Sequence, residues 1–353
     1  MTKEEYLASY QLECYRPSVE HEIQRFFEKY NKYAADVHAA FISNFRNFFS
    51  LLLDMQHKKF IGTIDHITIS YPFSELMCGN PQLLFEVYPD VPFMEHSIVS
   101  ESFKATWVLP EWEQYTQELV SLTRKAGMIN VVHESYIHST TWALGRDLLR
   151  IVCTYLKTQM IDLPRIKEFQ SLKISDNFEI TFGEYMGWQR TIFAIRPSID
   201  IFNCEPTDDL TFRTFKNYQY ENRTFTHLNL SDDIFKLCTF KNCIFIDVMF
   251  CDSHFDGCDF ISCQFQSIRF DGASFTGTLF QNTTLDSIQT NCVTQREGTI
   301  FCGFGQASFY NCFFKETIFM NSDWSASTFE ACQSQTCSIK NCVTPELMDL
   351  VFK

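Results

Sequence analysis

The chain is 353 residues long, 45% hydrophobic and 20% charged, which is enough to bury more than one core and sets two domains as the expectation. Its formal charge of −14 argues against non-specific attachment to nucleic acid or to an anionic membrane surface, both of which reward a basic patch, and leaves a basic protein partner open. The N-terminal stretch MTKEEYLASYQLECYRP lacks a charged-then-apolar leader pattern, and apolar stretches such as Phe48–Leu53 are too short to span a bilayer, so a cytoplasmic protein with no membrane attachment is expected. In that reducing compartment the fifteen cysteines read as small buried hydrophobes and not as a disulfide framework.

The first 200 residues carry helical periodicity. From Ser18, read as a cap and followed by Glu20 and Glu22, apolar residues recur at Ile23, Phe26, Phe27, Tyr30, Ala34, Val37, Phe41, Phe45, Phe48 and Leu52, which predicts one long amphipathic helix within residues 18–57. A core explains this stripe, although it is also long enough to serve as a groove or a homodimer face. Ile67, Ile69 and Tyr71 alternate with Thr68 and Ser70 as a strand would. The stretch 110–126 carries Trp112, Tyr115, Leu119 and Leu122 on one helical face and ends in Arg124 and Lys125 before Gly127. Another helix is expected over 141–158. Phe178, Ile180 and Phe182 then alternate as a strand, with 191–196 pairing back as a hairpin. The region 1–200 is therefore an α+β domain, mainly helical.

Beyond residue 200 the period changes to five. Phenylalanine stands at 235, 240, 245, 250, 255, 260, 265, 270, 275 and 280, and the register extends back through Leu230, Phe225, Tyr220, Phe215 and Leu210 and forward to Leu285. Two residues before most centres the side chain is compact: Cys238, Cys243, Val248, Ser253, Cys258, Cys263, Ile268, Ala273, Thr278 and Thr283. A five-residue step suits neither an α-helix nor a plain strand, so both positions must point inward in some other repeat. Phe304, Phe309, Phe314, Phe319, Trp324 and Phe329 keep the spacing, but Phe304 follows Leu285 by nineteen residues. That offset places an interruption near 286–301, with Arg296, Glu297 and Gly298 as its most turn-like part.

This pattern resembles the pentapeptide-repeat family, whose motif sets a large apolar centre two residues after a small one. Over residues 208–344 the resemblance implies a right-handed quadrilateral β-helix with four pentads per coil, large centres stacking on large and small on small. The fold class is then an α+β, mainly helical domain over 1–200, followed by a pentapeptide-repeat solenoid over 201–353 that ends in a capping helix at 345–352. That apolar C-terminal segment and the 18–57 helix are the two candidates for homodimer contact. Cys238, Cys243, Cys258, Cys263, Cys302, Cys312, Cys332, Cys337 and Cys342 all occupy the small position or its continuation, with pairs twenty apart stacking in adjacent coils.

No catalytic, metal or cofactor set emerges. His133 and His138 lie five apart, about 140° around a helix, and miss the spacing that puts both zinc ligands of a HExxH motif on one face. Gly303-Phe304-Gly305 lacks the later glycine of a dinucleotide loop. The reading is a non-enzymatic protein-binding scaffold, an acidic β-helix joined to a helical recognition domain, with an unidentified protein partner and no direct nucleic-acid contact. Resemblance to family members that mimic duplex DNA supplies the alternative, a regulator or protector of DNA gyrase or another DNA-binding enzyme. The candidate partner-binding residues are Asp232 and Asp252, which a twenty-residue coil stacks, and Arg296 and Glu297 on the interruption.

Overall fold

The computed structural model describes residues 2–77, 80–88, 96–109, 112–197, 199–201, 208–290, 294–296, 299–301 and 306–344. The chain divides into two compact units, Met1–Ala194 and Ile195–Lys353.

In the first unit, α1 (Lys3–Tyr10) opens with a capping box: the Glu5 N–H donates to Thr2 Oγ1 at 3.2 Å, and the Thr2 N–H donates back to Glu5 Oε2 at 2.7 Å. A π turn, Gln11–Tyr15, carries the chain into α2 (Arg16–Lys32) and makes room where Pro17 has no N–H to offer the preceding turn. Two sequence expectations change here. Ser18 is not a cap; it lies inside α2 and its hydroxyl donates to the Tyr15 carbonyl at 2.7 Å. The long helix is also broken at Tyr33 (φ −108°, ψ 17°), so that α3 (Ala34–His57) starts afresh. The break lets the two apolar stripes turn onto one core: Tyr30 reaches the Val108 carbonyl at 2.7 Å while Phe41, Phe45, Phe48 and Phe49 are fully buried.

The remaining elements are β1 (Ile64–Tyr71), the short α4 (Phe73–Met77), β2 (Gln82–Tyr88), β3 (Val99–Lys104), α5 (Trp112–Lys125), α6 (Glu134–Gln159), α7 (Lys167–Ser171), β4 (Ile174–Glu184) and β5 (Gln189–Ala194). The strand expected over 67–71 is present and starts three residues earlier, at Ile64; the β4–β5 hairpin and α5 are present, and Gly127 closes α5 with φ +72°. Helix α6 begins seven residues earlier than the periodicity suggested. The sheet order is β3-β2-β1-β4-β5, with β1 parallel to β4 and the other pairs antiparallel. Ile67, Ile69, Phe85, Phe178, Ile180 and Phe182 are buried in one core with the helices, and Phe45 and Phe48 both meet the Phe85 ring edge on at 5.4 Å.

The second unit is a quadrilateral β-helix. Three walls are parallel sheets of six short strands each, and the fourth is held by single bridges such as Met249 to Arg269. Paired centres lie twenty residues apart, Phe240 against Phe260 and Phe260 against Phe280. Their rings stack face to face with little tilt, at 4.5 Å and 9° for Phe245–Phe265 and 4.7 Å and 4° for Phe255–Phe275. Such pairs add roughly 0.5–1.5 kcal/mol beyond their area burial.

The interruption differs from its expected form. Ile288 and Thr290 are still buried wall residues, and Phe275 pairs with Phe309, thirty-four residues on where a coil needs twenty. The chain therefore carries fourteen residues more than a coil needs between Thr290 and Ala307, which is again buried. Leu285 pairs with Phe319 and not with a residue near Phe304, because the excursion consumes nearly three pentads and does not shorten one. Residues 302–305, with Phe304 and Cys302, and the expected capping helix at 345–352 lie outside the described residues.

Candidate functional site

Most described corners of the β-helix are made by the residue two after the centre, which sits in the left-handed region: Asn222 at φ 56°, Asn242 at 50°, Asp252 at 57°, Asn282 at 50°. Its N–H donates to the next coil, as Asn242 does to the Ile261 carbonyl at 2.9 Å. Asparagine, aspartate and glycine tolerate this conformation, which is why they collect at this pentad position. The asparagines also bond along the corner, Asn242 to Asn222 at 3.2 Å and Asn341 to Asn321 at 3.0 Å.

Asp232 and Asp252 occupy the corner after the fourth wall, at φ 65° and 57° in consecutive coils, half-buried, with backbone N–H groups donating to the Cys251 and Asp271 carbonyls. The acidic column stops there. Gly272 is next, and a Cβ on it would collide with Asp252 Oδ1. The excursion begins at this same corner one coil further on, because Thr290 continues the column of Leu230, Phe250 and Phe270. Within it, Arg296 ends the first strand of an antiparallel pair, Thr294–Arg296 with Thr299–Phe301. Glu297 lies outside the described residues.

Several of the other acids on the walls lie beside basic side chains. Lys241 meets Glu221 at 2.8 Å, His227 meets Asp247 at 2.7 Å, Arg269 holds Asp271 at 2.8 Å, and Asp256 pairs in register with Lys236.

The small inward position does more than save space. Cys238, Cys243, Cys258 and Cys263 each direct the thiol to the carbonyl of the centre twenty-three residues back, at 3.3–3.4 Å. Thr283 makes the same bond at 3.0 Å, and Thr317 makes it at 3.0 Å to Phe280, thirty-seven residues back because the excursion intervenes. Cysteine, serine and threonine thus serve as donors to lumenal carbonyls that have no water to turn to. Asp233 breaks the pattern with a fully buried carboxyl at this position, accepting from the Arg213 N–H at 2.7 Å. Burial pushes its pKa well above the ordinary value, against the opposing pull of that N–H and of the Arg213 charge.

In the first unit, the face of the sheet away from the helices is polar. Register sets His66 opposite Glu179 and Tyr88, and Thr68 opposite Thr181 and Glu86. His66 Nδ1 lies 2.8 Å from Glu179 Oε1 and its Nε2 3.2 Å from Thr181 Oγ1. A carboxylate, an imidazole and a hydroxyl in series have the order of a nucleophilic triad, yet the neighbouring backbone N–H groups belong to the sheet ladder and offer no oxyanion site. The hydroxyl of Tyr88 donates to Glu86 Oε2 at 3.0 Å on the same face. Sequence reasoning missed this constellation, since its members lie over a hundred residues apart and meet only through the parallel β1–β4 pairing. His133 precedes α6 at its N-cap, and no cluster of histidine, cysteine, aspartate or glutamate among the described residues could hold a metal ion. No described helix is long and apolar enough to cross a membrane.

No curated protein matches the chain. Among solved structures, similarity extends to a pentapeptide repeat protein from the Arabidopsis thaliana thylakoid lumen, 10% identical over 43% of this chain and 83% of that one, with a TM-score of 0.18. Trypsin-treated QnrB1, a plasmid-mediated fluoroquinolone resistance protein, is 16% identical over 38% of this chain and 93% of its own, with a TM-score of 0.13. HetL, involved in heterocyst differentiation regulation in Nostoc sp. strain PCC 7120, is 7% identical over 38% and 86%, with a TM-score of 0.12. The family described as pentapeptide repeats matches eight copies over residues 234–277, the stretch whose phenylalanine centres stack coil on coil, and the C-terminal segment of this chain is a pentapeptide-repeat β-helix.

Proposed function

We propose that the protein is a non-enzymatic binding scaffold, in which an acidic β-helix presents a rigid wall to a protein partner and the helical unit contributes recognition. The observation that carries this reading is the corner of Asp232 and Asp252. Its backbone is fixed by ladder hydrogen bonds, and the excursion starts two coils beyond Asp252, past Gly272, so a charged edge and the excursion share one corner of an inflexible frame. The full chain used as bait in its native cell, compared with the Asp232→Lys/Asp252→Lys variant, tests it. A protein retained by the wild type and lost from the variant supports the reading. Identical capture by both, or capture of nothing above a scrambled control, rejects it.

The second reading, a DNA-mimicking regulator of gyrase or another DNA-binding enzyme, is favoured by the eighteen acidic against ten basic side chains over 201–353. The pairing of those acids with Lys241, His227 and Arg269 weighs against it, since a phosphate-like ladder needs unneutralised columns. A supercoiling assay with and without fluoroquinolone decides: neither inhibition nor protection at micromolar protein ends this alternative.

A further inference from the structure

Against the acidic balance of the whole chain, one side of α6 is cationic. Trp142, Arg146, Arg150 and Lys157 fall within about 80° of one another around the helix. The edge strand β5 adds Arg190, set opposite Phe182 on the face of the sheet that meets the helices. Cys153, three residues on from Arg150, joins the two elements: its thiol lies 4.0 Å from the Phe182 carbonyl, and burial raises its pKa to about 11 against the pull of Arg190 and Lys157. Residues 142–157 and 184–190 together hold these four cations and only two acids, Asp147 and Glu184. The acids lie inward. Glu184 and Asp147 have side chains 17% and 19% exposed, whereas Arg146 at 3.0 Å from the first and Arg150 at 3.6 Å from the second are 49% and 47% exposed. Aromatic rings hold both guanidinia in place, Phe73 at 4.7 Å from Arg146 and Trp188 at 5.7 Å from Arg150. Trp142 and Met186 are exposed at the same end of the sheet.

We propose that this face binds an acidic segment of a partner protein, an extended stretch with carboxylates at alternate positions. Charge selects the occupant, because the outward groups are cations and the two carboxylates sit beneath them. Spacing selects its form. Arg146 and Arg150 are separated by a rise of about 6 Å along the helix, close to the roughly 6.7 Å between alternate residues of an extended strand. The planar guanidinium fork matches a carboxylate, and exposed tryptophan and methionine suit the apolar residues between the acids. A polypeptide is favoured over nucleic acid, since a long polyanion is repelled by the −14 chain, whereas a short acidic segment feels mainly the charges within about 8–10 Å. The inference goes beyond the scaffold reading and uses none of the residues of the Asp232–Asp252 corner, so either can fail alone.

Fluorescence anisotropy of a dye-labelled decapeptide of alternating aspartate and valine, titrated with the full chain, tests it. Saturable binding is expected at micromolar protein, weakened by added sodium chloride and absent for the asparagine–valine counterpart. The double variant Arg146→Glu/Arg150→Glu should bind at least about tenfold more weakly, with unchanged near-ultraviolet circular dichroism. If that variant misfolds, Arg190→Glu on the exposed edge strand carries the test and should weaken binding about threefold. No saturation by the aspartate peptide, equal affinity for the asparagine peptide, or indifference of the folded variants overturns the proposal. Tighter binding of an oligothymidylate of equal charge also overturns it and assigns the face to nucleic acid.

Discussion

Leu237 is a residue that the repeat holds at a cost: it takes a left-handed corner at φ 51°, is 61% exposed and leans over Gly257. A branched apolar residue there costs roughly 1–2 kcal/mol relative to a right-handed conformation. Leu237→Asn should therefore stabilise the protein by about 0.5–1 kcal/mol, read from urea midpoints; a loss would mean that the side chain packs better than its exposure implies. Inside the lumen, Cys258→Thr keeps the bond to the Phe235 carbonyl, whereas Cys258→Val removes it and should cost about 1 kcal/mol more. Equal midpoints for the two would reduce the thiol to a spacer. Asp233 gives a pH signature. Its folded pKa is raised above the ordinary 3.8, so the stability it contributes is complete below that value and is lost as pH rises from about 4 toward the folded pKa. Asp233→Asn retains an acceptor for the Arg213 N–H and should be more stable than the wild type at pH 8 but not at pH 4. The reverse order would show an ionised carboxylate held by Arg213.

At the scale of the element, Phe260 lies between Phe240 at 4.9 Å and Phe280 at 5.1 Å, and Phe260→Ala should cost roughly 3–5 kcal/mol, while the neighbouring outward Asp259→Ala stays below about 0.5. The excursion offers a stricter test of register. Deleting residues 292–305 joins 291 to 306 and sets Phe309 five residues after Thr290, the normal pentad step, so that variant should melt within a few degrees of the wild type; removing one residue more should collapse the upper coils. The sequence made the walls readable because every centre from Phe235 to Phe280 repeats one residue type. The corners were missed although Asn222, Asn242, Asn282, Asn311, Asn321 and Asn341 marked them, because the sign of φ leaves no trace in a hydrophobic pattern. β2 escaped because QLLFEVY is covered on both faces and does not alternate, and β3 because VSESFK is a polar edge strand. The Asp232–Asp252 adjacency followed from the coil period, whereas His66 and Glu179 are joined by a strand pairing that no local pattern announces.

For the whole molecule, two compact units with separate cores imply separate denaturation, and calorimetry is expected to resolve more than one transition. A single transition with equal calorimetric and van't Hoff enthalpies would show that the units melt as one. The β-helix also has a mechanical character that its ladder dictates. The hydrogen bonds between coils, such as Asn242 to Ile261 and Asp252 to Asp271, run along the solenoid axis, so a load applied at its two ends opens one coil at a time and never shears a whole sheet at once. Each ordinary coil should pay out twenty residues, on the order of 70 Å of contour. The coil that contains the excursion should pay out thirty-four, about 115 Å, a single long tooth in an otherwise even force trace that marks where the wall was interrupted.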